Sequence, residues 1–225
     1  MKKLYMVSLG PGDVELLTLK ALKVFKEVEA ICVPTKSEDH SFNKSISHKI
    51  VLEALAYLGL QKKIVPVYSP MRFLPADWEA EADVVLQTLQ ENDKVAFVTL
   101  GDAGIYSSIY YLLDIIEKKA PPIAKECEVI AGVTSFSASS AKVKKALCLG
   151  DERLEIEPIN PRKTPQTTKI LMRPRLGMDT KSLGEGDFYT FENLYLENEN
   201  ITKGKIATVK RYMTLFINFA KRGAK

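Results

Sequence analysis

A chain of 225 residues and 25.2 kDa is long enough for one large domain or two small ones, and folding hides roughly 70% of its unfolded surface. With 46% apolar and 27% charged residues, and only 12 Gly and 11 Pro, neither disorder nor a fibrous repeat fits. A net charge of +4 is too slight for a nucleic-acid-binding surface and suits an acidic small-molecule partner equally well.

In chain order, residues 4–9 form a short apolar run, read as a buried strand ending in the turn Gly10-Pro11-Gly12. Leu17, Ala21, Phe25 and Val28 then recur at helical spacing, with Asp13 placed to cap the first turn. Residues 30–33 read as a second strand. Ile46, Ile50, Ala54 and Leu58 mark a helix closed by Gly59. A strand is expected at 64–68, a helix at 76–90, an apolar strand at 95–100 and a helix at 105–118. Continuous apolar strands alternating with helices predict a mostly parallel sheet covered on both faces.

Pro121-Pro122 cannot continue a helix, so a boundary is expected there, with an N-terminal α/β domain over 1–120 and a C-terminal α/β domain over 123–225. The second half opens with a strand at 128–131 and a helix rich in small residues at 135–147. Strands are expected at 154–156, 169–172, 188–192 and 214–219, and loops at 160–168 and 174–186.

Cys32, Cys127 and Cys148 are odd in number and widely spaced, as expected of buried thiols in a reducing compartment. His40 and His48 are too few for a metal site without heavy carboxylate help, so no metal is expected. The longest uncharged run, 129–141, falls short of the ~20 residues of a membrane span. The N-terminus breaks at its glycine turn rather than continuing as a signal peptide. A soluble, cytoplasmic protein is the expectation.

Three turns between strand and helix carry the chemistry. Ser8-Leu9-Gly10-Pro11-Gly12-Asp13 lets backbone approach a ligand. It is no Walker loop, because no Gly-Lys-Ser/Thr follows, and no dinucleotide fingerprint, because the third glycine is missing. Thr99-Leu100-Gly101-Asp102-Ala103-Gly104-Ile105-Tyr106 ends another apolar strand, and Asp102 suits both a helix N-cap and a ligand contact. Gly132-Val133-Thr134-Ser135 offers hydroxyls that either cap a helix or bind a ligand. In a parallel sheet such turns share the crevice at the carboxyl ends of the strands.

Together, Gly10-Pro11-Gly12-Asp13 with Glu15-Leu16-Leu17-Thr18-Leu19-Lys20-Ala21, Gly101-Asp102 and Gly132-Val133-Thr134-Ser135 strongly resemble the tetrapyrrole methylases, S-adenosylmethionine-dependent enzymes of cobalamin and sirohaem synthesis. Val33-Pro34-Thr35, Tyr68-Ser69-Pro70-Met71, Ile105-Tyr106-Ser107-Ser108 and Gly150-Asp151-Glu152-Arg153-Leu154 look like the enzymes that methylate carbon 20 of precorrin-2 or cobalt-precorrin-2. The chain departs from the family pattern at Ser8, usually glycine, and at Val14 and Ala103, usually prolines. It also shortens the stretches around Lys169 to Met172. The resemblance implies two α/β domains with a ligand cleft between them, a homodimer, and an acidic tetrapyrrole substrate. It implies cofactor contacts at Pro11, Leu100, Gly101, Asp102, Ile105, Thr134, Ser135 and Met172, with the latter equally at home in a strand core. Lys36, Arg72 and Arg153 follow motifs near strand ends and are candidates to pair with substrate carboxylates. No catalytic base is evident. The alternatives are another methylase of the same fold, acting on uroporphyrinogen III, on a later corrin precursor or on a non-tetrapyrrole, and a non-enzymatic nucleotide-binding domain.

Overall fold

A computed structural model describes residues 2–43, 45–72, 74–157 and 167–220. The chain divides into two compact units, Met1–Leu154 and Glu155–Lys225.

The first unit is a five-stranded, wholly parallel sheet of order β3-β2-β4-β1-β5. Its strands are β1 (Lys3–Ser8), β2 (Ala30–Thr35), β3 (Lys63–Tyr68), β4 (Lys94–Thr99) and β5 (Glu128–Ile130). Because side chains alternate across a strand, each apolar run is shared between two cores. Tyr5, Val7, Ile31, Val33, Ala96 and Val98 point to the face covered by α1 (Leu19–Glu27) and α2 (Ile46–Leu58). Leu4, Met6, Cys32, Val95 and Phe97 point to the face covered by α3 (Pro75–Glu91) and α4 (Ile109–Lys119). Phe25 and Phe97, one in each core, are almost wholly buried, and such a side chain stabilises the fold by roughly 1.5–3 kcal/mol. Between α3 and α4, the Trp78 and Tyr111 rings stack with centroids 4.0 Å apart.

Several ends differ from the expectation. Asp13 caps a 3-10 turn, Val14–Leu16, while the helix proper starts at Leu19 with the Thr18 hydroxyl accepting from the Ala21 amide. The helix expected from 105 starts at Ile109, because residues 101–108 are spent on turns. Gly59 does close α2, in the left-handed conformation that glycine adopts freely.

The diproline does not break the fold. It opens α5 (Pro121–Glu126), where proline's missing N–H is no loss. β5 and the helix α6 (Ser135–Val143) that follow stay with the first unit, β5 pairing with β1. In the chain, the first compact unit ends at residue 154, beyond the diproline.

The second unit is an antiparallel sheet of order β6-β9-β7-β8, built from β6 (Lys169–Leu171), β7 (Asp187–Glu192), β8 (Asn200–Lys203) and β9 (Thr214–Phe219). Its core is small: Phe188, Val209 and Phe216, backed by Leu171, Met178, Leu183 and Ile206. Among its described residues there is no α-helix, only a 3-10 turn, Thr180–Leu183, in the stretch expected to be loop. The helix-covered parallel sheet and this antiparallel sheet make the chain an α/β protein, as expected, and the helix α6 of the expected C-terminal domain belongs to the first unit. β8 was not expected, since Asn200–Lys203 lacks apolar alternation. Residues 154–156 pair with no strand, and the expected loop at 160–168 lies outside the described residues up to 166. Cys32 is buried, but Cys148 is exposed, contrary to the expectation of buried thiols. No described helix is long and apolar enough to cross a membrane.

Candidate cofactor and substrate site

β4, β1 and β5 are neighbours in the sheet, so the turns that follow them emerge side by side at its carboxyl edge. Hydrogen bonds join them into one structure. Gly10 and Gly101 form a two-residue bridge: the Gly10 amide donates to the Gly101 carbonyl at 3.0 Å and the Gly101 amide to the Gly10 carbonyl at 2.7 Å. Both glycines have positive φ, +71° and +77°, a region that a Cβ disfavours.

Ser8 uses its hydroxyl to accept from the Ala103 amide at 2.9 Å. That bond locks the first turn to the second. Asp102 locks the second to the third, with Oδ1 accepting from the Gly104 amide at 2.8 Å and Oδ2 from the Gly132 amide at 2.6 Å. Gly132 has no room for a side chain, since a Cβ there would lie 2.5 Å from the Ser8 Cβ and 3.0 Å from the Gly101 carbonyl oxygen.

Of the expected cofactor residues, Pro11, Leu100, Gly101, Asp102, Ile105, Thr134 and Ser135 therefore share this junction or border it in sequence. Pro11 and Ile105 are half-buried and Leu100 is partly open. Asp102 does not cap α4, which starts seven residues later; its carboxylate is a structural acceptor between turns. Thr134 caps α6, its hydroxyl accepting from the Ser137 amide at 3.3 Å, and Ser135 is exposed. Met172 belongs to the second unit, one residue past β6, and is 68% exposed rather than buried in a strand core.

The turns after β2 and β3 occupy the other half of the same edge. The Ser69 amide donates to the Thr35 carbonyl at 2.7 Å, tying the two strand ends together. Lys36 is exposed just beyond β2. Arg72 is exposed but already engaged: Nε donates to Asp77 Oδ2 at 3.1 Å and Nη2 to Oδ1 at 2.5 Å. Arg153 is exposed in the unpaired stretch that ends the first unit. Sequence reasoning placed Ser8 in its turn without its role as acceptor, and missed Asp77 and Glu81, the last a buried carboxyl in α3 that accepts from the Ser69 hydroxyl at 2.8 Å. The signal for Glu81 lay in the sequence: it sits in the helical stripe of Trp78, Ala82, Val85 and Leu89, where a carboxylate is out of place. Among the described residues no cluster of three or more His, Cys, Asp or Glu side chains is arranged to hold a metal ion.

A parallel α/β unit with joined glycine turns at one carboxyl edge has the architecture of those α/β proteins that bind ligands at that edge. Residues 3–182 match the family model of the Tetrapyrrole (Corrin/Porphyrin) Methylases, and the chain belongs to that family. It is 34% identical over 158 residues to a probable cobalt-precorrin-2 C(20)-methyltransferase of Methanocaldococcus jannaschii, covering 70% of this chain and 64% of that one. It is 28% identical over 158 residues to the cobalt-precorrin-2 C(20)-methyltransferase of Salmonella typhimurium, covering 68% and 62%. These matches span a little under two thirds of the relatives' length. In fold it is similar to a uroporphyrin-III C-methyl transferase of Thermus thermophilus crystallised with S-adenyl homocysteine, with a TM-score of 0.50, 16% identity and coverage of 96% and 97%.

Proposed function

We propose that this protein is an S-adenosylmethionine-dependent methyltransferase that methylates carbon 20 of precorrin-2 or cobalt-precorrin-2 in corrin synthesis. The observation that carries the reading is the junction of three turns, through Gly10–Gly101, Ser8–Ala103 and Asp102–Gly132, at one edge of the sheet. The names of the two relatives favour carbon 20.

The junction suits the donor. A Cβ at Gly101 would meet nothing within 4 Å, so open space lies over its backbone. When bound, S-adenosylmethionine supplies a methyl group on a sulfonium, the electrophile for an electron-rich meso carbon. A carboxylate against that sulfonium would stabilise the ground state and slow transfer, because the positive charge is lost on the way to product. Asp102, the acid nearest the junction, has each oxygen committed to a backbone amide. Leu100 and Ile105 offer apolar contact, and the Thr134 and Ser135 hydroxyls offer polar contact without charge. Their work is to hold donor and ring in line, which alone supplies several kcal/mol of barrier reduction. Lys36, Arg72 and Arg153 pair with the ring's carboxylates, Arg72 from a position already fixed by Asp77.

The test is methylation by labelled donor of precorrin-2, cobalt-precorrin-2 and uroporphyrinogen III side by side, with carbon NMR of each product. A label at carbon 20 supports the reading, and a label on a pyrrole carbon or at carbon 11 or 17 overturns it. Binding of S-adenosylhomocysteine but not ATP separates this reading from a nucleotide-binding module. The homodimer is tested by sedimentation at micromolar concentration, where a 25 kDa species would reject it.

A further inference from the structure

We infer that Glu81 and Asp77, one turn apart on α3, are positioning residues that fix the turn at residues 69–72 against the sheet and so set how the macrocycle is seated, an inference that rests on the function proposed above. α3 holds both ends of this turn. At its start, the Ser69 hydroxyl donates to Glu81 Oε1 at 2.8 Å. At its end, Arg72 makes its two-toothed pair with Asp77. Between them lie Pro70 and Met71, the latter at φ +59° and 52% exposed. A methionine in the left-handed region is strained and persists there only where its surroundings hold it, as the bonds on both flanks do here.

Glu81 is costly where it stands. It is 2% exposed, and its Oε2 is buried with no hydrogen-bond partner among the described residues. An apolar residue would fill the α3 stripe at less cost, so what the carboxyl supplies at this position is the hold of Oε1 on Ser69. Ser69 is itself 5% exposed, and its amide binds the end of β2. The link thus runs from α3 through Ser69 to Thr35, immediately before Lys36. One helix therefore sets the placement of two of the three basic side chains assigned to the substrate.

The same link is sensitive to protons. Burial pushes the Glu81 carboxyl up to about 7; the Ser69 hydrogen bond works against this and the Asp77 charge adds to it. On the elements packed against α3, Lys119 of α4 pairs with Asp83, Lys63 of β3 with Glu91, and Lys94 of β4 with Glu27. Tyr111 of α4 stacks on Trp78, and the Cys32 thiol of β2 bonds to Thr88. Tyr110, Asp114, Glu117 and Lys118 of α4 and Tyr68 of β3 are the other titratable groups on these elements. Ionised Glu81 is a buried, desolvated charge with one oxygen unpaired and Asp77 nearby, and opening the turn to water relieves that cost by more than the charged form gains from Ser69, so the turn loosens above neutral pH.

The test compares wild type, Glu81→Gln and Ser69→Ala for the KM of precorrin-2, for kcat and for S-adenosylhomocysteine affinity, from pH 6 to 8.5. Expected are a wild-type KM that rises several-fold above pH 7, a Glu81→Gln KM that stays flat, and a Ser69→Ala KM raised about tenfold at every pH. Cofactor affinity should hold within twofold throughout. The same pH dependence in Glu81→Gln as in wild type, an unmoved KM in Ser69→Ala, or a parallel loss of cofactor affinity overturns the inference. If wild type methylates none of the rings, the proposed function fails on its own. Amide hydrogen exchange of Ser69, Met71 and Arg72 in the unliganded protein then decides: exchange that quickens above pH 7 beyond its intrinsic rise in wild type but not in Glu81→Gln supports the link, and identical profiles refute it.

Discussion

Gly132→Ala is the sharpest probe of the three-turn junction, because it adds one methyl group to a backbone whose φ is not in the left-handed region. The new Cβ would stand 2.5 Å from the Ser8 Cβ and 3.0 Å from the Gly101 carbonyl oxygen. Carbon atoms settle at about 3.5–4.0 Å, so the first and third turns must separate by about 1 Å. Ser8 cannot yield by itself; it is 1% exposed and its hydroxyl holds the Ala103 amide. Separation stretches that bond and the 2.6 Å bond from the Gly132 amide to Asp102. Overpacking costs about 1–3 kcal/mol, and loosening a bond to a carboxylate adds about 1.5 kcal/mol. A loss near 3 kcal/mol corresponds to a fall in Tm of about 6–12 °C for a chain of this size. Calorimetric titration with S-adenosylhomocysteine should show affinity reduced at least tenfold. Ser8→Gly in the Gly132→Ala background removes the nearer clash and should recover part of both losses, a coupling of about 0.5–3 kcal/mol in a double-mutant cycle. Wild-type Tm and undiminished affinity in Gly132→Ala would show that the junction is not packed as described.

Asp102→Asn turns one acceptor into a donor facing the Gly104 or Gly132 amide; urea unfolding should show a loss of about 1–3 kcal/mol, and wild-type stability would argue against the bridge. The Cβ of Gly101→Val meets no protein atom within 4 Å but sits at φ +77°, so the left-handed backbone should cost about 1–2 kcal/mol while the side chain abolishes S-adenosylhomocysteine binding; undiminished affinity by calorimetry would remove Gly101 from the cofactor site. Glu81, raised from an ordinary 4.5 to about 7, retains its proton in the folded state while the unfolded chain releases it. Its contribution is full below about pH 4.5 and is lost as pH rises through about 7, by at most about 3 kcal/mol. The difference in unfolding free energy between wild type and Glu81→Gln should move in Gln's favour over that window, and a pH-independent difference would refute the assignment.

What the sequence determined by itself was local. Apolar runs of strand length alternating with helical stripes were enough for a parallel sheet covered on both faces, because burial period is written into neighbouring residues. Gly59 and Thr134 were legible as caps for the same reason, their partners being at most four residues away. The three turns were visible as glycine and hydroxyl clusters, but their meaning was not. In sequence Asp102 suits a helix cap and a ligand contact alike, whereas the order β4-β1-β5 places the Gly132 amide, thirty residues on, against its second oxygen. The diproline looked like a boundary, although at the first turn of a helix proline costs nothing and β5 beyond it had a place beside β1. Arg72 looked available for a ligand, and Glu81 was one acid among several on α3. Their bonds to Asp77 and Ser69 depend on how far α3 slides along the sheet and which way it turns. Tertiary packing decides that, since side chains distant in sequence are brought into hydrogen-bond range only when the strands between them have been ordered.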